Sequence, residues 1–312
     1  MFKKVVSLCI IFCMAFTLMI SGYAQTEEAN SVDKDNVSDI VKAKRSLKQI
    51  ADKEFSELQK KGKYKIDTGN ETNRLLATLA LNPSVDRDSI EKELKTYGVY
   101  VLENNTEDGQ MLMSVSNDNS DISMTPPFIS YNSSNHTWTV IGGGYWKNRD
   151  WLKECPFIVV PYVGKTITIG GKEGFGVGYT SISGTYNSSI ISQYGMITDN
   201  EGHTVETTSR SDGDGSKGFG FQLQDYVRIN TPDDGYIDTE CSYIGSHFAA
   251  TATYSSNFVN LNGVATSYYI HTSDDAKITS VNFGISGKSA GVNATIENVG
   301  DSFPAYSTDT RF

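Results

Sequence analysis

Asp212-Gly213-Asp214-Gly215-Ser216 sets side-chain oxygens at alternate positions, the spacing with which a loop begins to wrap a calcium ion. Asp225 is the acid placed to close such a site, so Asp212, Asp214, Ser216 and Asp225 are the expected ligands if calcium is used. The run departs from the EF-hand form, which needs a glutamate at residue 223, where Leu223 stands. The competing reading is an acidic hairpin turn, because Asp-Gly is a common turn dipeptide. Nothing in the chain requires a cofactor.

A second chemistry lies in Trp138, Tyr145, Trp146 and Trp151, which gather all three tryptophans beside Gly142-Gly143-Gly144 and Lys147-Asn148-Arg149-Asp150. Flat rings flanked by amides and charges can stack on sugar faces. These four are the expected ligand-binding residues; the alternative is that they serve as core.

Other tempting patterns fail on inspection. Gly164-Lys165-Thr166 lacks the glycine that a phosphate-binding loop needs at 159, where Val159 stands, and a strand pattern follows it instead of a helix. His136, His203, His247 and His271 are scattered, and neither Ser246-His247 nor His271 to Asp275 has the spacing of a known catalytic motif. Glycoside hydrolysis needs two acids facing across a cleft, and Asp225, Asp238 and Glu240 reveal no such geometry from their order alone. No catalytic residue is assigned.

The elements that must position these residues fall into two regions. Val37 to Lys61 carries an apolar stripe with helical period and ends at Gly62. A second helix is expected over 71–81 and a third from Asp88, with Glu91 at capping-box spacing, ending before Gly98. Strands over 99–102 and 111–115 complete a small helix-rich α+β region, 25–116. Residues 117–127, polar and interrupted by Pro126-Pro127, read as a linker.

Residues 128–312 read as an all-β domain, an antiparallel sandwich or barrel. Short β-rich runs stand at 137–141, 157–160, 166–169, 219–223, 268–270, 280–285 and 291–296, separated by Gly, Asn, Asp and Ser clusters. The fold class is therefore mainly β, with helices leading. Gly171-Lys-Glu-Gly-Phe-Gly-Val177 echoes Gly215-Ser-Lys-Gly-Phe-Gly-Phe221, a hint of paired hairpins.

Residues 1–24 have the form of a secretory signal: Lys3 and Lys4, an apolar run from Val5 to Ile20, then small residues with cleavage expected after Ala24. Export removes Cys9 and Cys13 and leaves Cys155 and Cys241 as a candidate disulfide in an oxidising compartment. It also takes the net charge from −10 to −12, since Lys3 and Lys4 leave with no acid. That acidity argues against a nucleic-acid partner, whose phosphates demand clustered Lys and Arg.

The expected protein is secreted and non-catalytic, binding an extracellular polymer or glycan through the aromatic patch. Two alternatives compete. One is a membrane-active protein using the alternating hairpin 277–299, which is short of apolar positions for a spanning strand. The other is an extracellular hydrolase with 25–116 as a removable pro-segment.

Overall fold

The computed structural model describes residues 34–81, 84–102, 121–154, 162–183, 189–230, 241–273, 277–283, 292–297 and 302–312. The expected signal peptide, the strands at 111–115 and 157–160, Cys155, Asp238 and Glu240 lie outside the described residues.

Among the described residues three helices come first, α1 (Lys34–Lys60), α2 (Glu71–Leu81) and α3 (Arg87–Thr96). In α1, Leu47, Ala51, Phe55 and Leu58 recur at helical spacing and pack on the main core. Gly62, at φ +64°, ends it with a Schellman pair: Gly62 N–H donates to Gln59 O and Lys63 N–H to Leu58 O. The cap of α3 is not the expected Asp88. Asp86 accepts from Ser89 N–H and from Ser89 Oγ, so the cap lies two residues earlier and the helix begins at Arg87.

Among the described residues fourteen strands follow: β1 (Val99–Val101), β2 (Ile122–Asn132), β3 (Thr137–Trp146), β4 (Thr166–Ser183), β5 (Ile190–Thr198), β6 (Thr204–Thr207), β7 (Gly218–Ile229), β8 (Cys241–Ile244), β9 (His247–Tyr254), β10 (Asn262–Thr272), β11 (Lys277–Phe283), β12 (Val292–Glu297), β13 (Ser302–Tyr306) and β14 (Thr310–Arg311). The first sheet runs β1-β2-β3-β9-β5-β6 and the second β13-β10-β4-β7-β8, with β14 also on β10; β11 and β12 form a hairpin. Every pairing among the described residues is antiparallel. The protein is mainly β, as expected.

Residues 122–127, expected as linker, are the first half of β2. Pro126 and Pro127 are accommodated because the register against β3 shifts between Thr125 and Phe128, so neither proline interrupts a regular ladder. Helices and sandwich are also joined directly, since β1 pairs with β2.

The inner faces of the two sheets interdigitate. Phe248 of the first sheet stacks on Tyr269 of the second with centroids 4.1 Å apart. Gly142 makes the approach possible: a Cβ there would sit 2.5 Å from Ser267 Oγ and 2.6 Å from Val177 Cγ2. The echoed Gly-Phe-Gly segments turn out to be neighbours, with Phe175 opposite Phe221 and Gly176 opposite Gly220. Their phenyl rings point into the core, and Tyr268 lies across the two glycines on the other face. On that same face Ile278 and Val281 of the β11–β12 hairpin pack with Tyr268 and Ile270.

The outer face of the first sheet is divided. Leu76, Ala77 and Ala80 of α2 cover Phe128, Ile141, Tyr194, Met196 and Ala249. Towards the β2–β3 turn, the outward residues of β3 and β9 change from apolar to hydroxyl at Thr139, Thr137 and Thr253.

Candidate binding cleft

Where the helical cover ends, a cleft of about 720 Å³ opens over those hydroxyls. Its floor is Thr137, Thr139, Ser192 and Thr253, with Thr139 Oγ1 and Thr253 Oγ1 in a cross-strand hydrogen bond of 3.0 Å. One wall is the connection from α1 to α2 and the first turn of α2, bearing Tyr64, Ile66, Asn70 and Asn73. The facing wall is the β2–β3 turn, with Asn132, Ser134 and Asn135. Gln59 and Tyr97 complete the rim. Asn70 and His136, at φ +61° and +58°, hold left-handed backbone on the two walls.

Charge is almost absent from this lining. Lys65 pairs with Glu93 at 2.5 Å and lies over the Tyr97 ring. Asp67 accepts from the N–H groups of Gly69, Glu71 and Thr72 and from Thr72 Oγ1, capping α2. Burial acts to raise the Asp67 pKa, but hydrogen bonds with Glu71, Thr72 and the backbone outweigh it and hold the carboxyl below its usual range. By contrast, among the described residues the Asn73 amide makes only long bonds, 3.5 Å to Asn70 and to Thr251. That leaves it able to serve a ligand.

A second polar cluster lies inside the sandwich. Glu173 on β4, Asp225 on β7 and His271 on β10 occupy inward positions that otherwise carry Phe175, Phe221, Val227 and Tyr269. His271 Nδ1 lies 2.9 Å from Glu173 Oε1, and Tyr243 donates to Asp225 at 2.8 Å. Trp146 donates from Nε1 to Tyr269 at 3.1 Å and meets His271 edge-on. Burial, then the neighbouring Glu173, pushes the Asp225 pKa up to about 9. These acids are closed off from solvent, so the cluster ties the strands together and is not placed to meet a substrate.

No protein-family model matches this chain, and no curated protein sequence matches it. Function must be read from the geometry.

The aromatic platform is corrected to core. Trp138 is fully buried against Tyr131 and Phe258, Trp151 stacks on Tyr243 at 4.9 Å, and Trp146 sits in the acidic cluster. Tyr145, half-buried, stacks on His247. The three tryptophan rings, so enclosed, offer no face to a sugar; Trp146 and Trp151 share Tyr243 as a neighbour, while Trp138 packs elsewhere.

The four expected calcium ligands are not brought together. Asp214 is taken up by the Ser216 N–H and hydroxyl, a local turn, and Asp212 accepts from Gln222. Asp212 bridges to Gly220, whereas Asp225 lies five residues farther along β7, about 17 Å at strand spacing, and points into the core. Cys241 lies on β8, and no disulfide pair is found among the described residues.

Asp199, Glu201 and His203 do converge at the β5–β6 turn. Asp199 is already saturated by His203, Ser242 and two backbone N–H groups, and Arg228 stands against His203. Burial would raise the Asp199 pKa, but those bonds hold it low. The group reads as a turn lock.

Proposed function

We propose that this is an exported, non-catalytic binding protein that takes a segment of an extracellular polymer or glycan into the cleft between the β2–β3 turn and the start of α2. One observation carries the reading: an open cleft floored by hydroxyls and walled by amides, with side chains able both to donate and to accept. Export rests on the signal-like residues 1–24. Binding is favoured over hydrolysis because Asp67 is the one carboxylate among the described lining residues and its oxygens are occupied by the helix cap. Among the described residues no helix is long and apolar enough to cross a membrane. The apolar side of the hairpin invoked for membrane activity packs on the second sheet, with Ile278 and Val281 buried.

The test is co-sedimentation of the purified protein with insoluble cell-wall polysaccharide, beside an Asn73→Trp variant that fills the cleft. Retention lost in the variant, with unchanged circular dichroism, is expected. Equal retention of both proteins refutes the cleft as the site. Trp146→Ala is the wrong control, because it opens the core.

A further inference from the structure

We propose that the cleft selects uncharged polyhydroxylated chains, neutral hexose polymers, over acidic polysaccharides; this rests on the reading of the cleft as the ligand site.

Charge is the first ground. Only Lys65 and Asp67 among the described lining residues are ionic, and each is committed within the protein, Lys65 to Glu93 and Asp67 to the α2 cap. A carboxylate or phosphate entering the cleft would lose water and gain no free cation in return. The chain's net charge of −10 opposes its approach as well.

The second ground is the match of hydrogen bonding. A sugar hydroxyl both donates and accepts, and so do the threonine hydroxyls and asparagine amides of floor and walls. An anion only accepts, and would offer no donor to Asn73 Oδ1, which among the described residues accepts only at 3.5 Å, from Thr251. The third ground is the rim. Tyr64 and Ile66 are 43% and 72% exposed, a rare pair of large apolar side chains beside a polar cleft. Tyr64 is held edge-on to Phe55 with centroids 6.2 Å apart, which fixes its ring. A pyranose has an apolar C–H face to lay on such a rim and a hydroxyl edge to turn to the floor.

The experiment is retention of the intact protein on a panel of immobilised neutral glucan, mannan and galactan, a uronic-acid polymer and a phosphate-linked polymer, at low and high salt. Retention on at least one neutral polymer, changed less than twofold by salt, is the expected result. A Glu93→Gln variant, which frees Lys65 from its partner, should gain several-fold retention on the uronic-acid polymer at low salt. Wild-type protein held only by acidic polymers, with Asn73→Trp abolishing it, overturns the selectivity while the cleft reading stands. Retention by no polymer refutes both.

Discussion

Lys44 offers the sharpest test of how the helices are joined to the sandwich. It lies on α1 with no exposed surface, and its ammonium nitrogen donates to the carbonyl oxygens of Phe258, at 3.1 Å, and Leu261. Phe258 and Phe312 present ring faces 4.8 and 5.8 Å away. Carbonyls and rings favour the charged form, the rings by ~0.5–2 kcal/mol each. Burial, with no counter-ion among the described residues, opposes it more strongly and lowers the pKa from 10.5 to about 7. In the unfolded chain the proton stays on until about pH 10.5; in the folded chain it leaves near pH 7. Between those values the unfolded state holds more protons, so stability rises with pH.

The slope reaches about 1.4 kcal/mol per pH unit, and the whole window is worth about 5 kcal/mol. Lys44→Met keeps the length of the side chain and removes the proton. It also strands two carbonyls, at a pH-independent cost of ~1–3 kcal/mol each. Urea midpoints of both proteins from pH 7 to 9.5 isolate Lys44, because every other titration is common to the two. The wild type is expected to gain about 3 kcal/mol relative to the variant across that range. A difference flat to within about 0.5 kcal/mol would show that the ammonium stays charged in place, and the burial argument would be wrong.

Two further expectations follow from the core. Asp225 holds its proton up to about pH 9 when folded and releases it near 3.8 when unfolded, so it withdraws stability as pH rises through that window. Asp225→Asn should therefore gain on the wild type from pH 5 to 8.5 in thermal melts, and a constant difference would count against a neutral buried carboxyl. Gly142→Ala should lower stability by ~1–3 kcal/mol, since its methyl meets Ser267 and Val177 of the facing sheet; an unchanged melting temperature would mean the sheets are not packed at that distance.

Periodicity made much of the fold legible in the chain. α2 covers the residues its apolar pattern marks, and β4, β7, β10, β11 and β12 stand over their expected runs. β9 escapes, because His247-Phe-Ala-Ala-Thr-Ala-Thr-Tyr254 is alanine-rich and alanine has low strand propensity. Ala249 is the one that lies under α2 and lets it pack closely on the sheet, while Ala250 and Ala252 belong to the main core. The tryptophans misled for a different reason: three consecutive glycines, Gly142 to Gly144, erase the alternation between Trp138 and Trp146 that would mark the buried face of β3, and Trp151 lies on a helical turn beyond it. The acidic cluster did leave a trace, an acid in the inward register of Phe219, Phe221, Asp225, Val227, but only pairing shows that Glu173 and His271 join it.

The cleft was illegible because it has no motif of its own. It exists where two patterns stop: the apolar stripe of α2 ends at its first turn, and the outward face of β3 passes from Ile141 to Thr139 and Thr137. Each change is unremarkable alone, and their coincidence needs the helix laid on the sheet. The same packing bears on the pro-segment alternative. α1 supplies Phe55 and Ala51 to the main core, Lys44 reaches the Phe258–Leu261 turn, and β1 completes the edge of the first sheet. Removing 25–116 would bare that apolar surface, leave β2 as an open edge and take away one wall of the cleft, so a segment joined in this way is part of the folded core and a poor candidate for release.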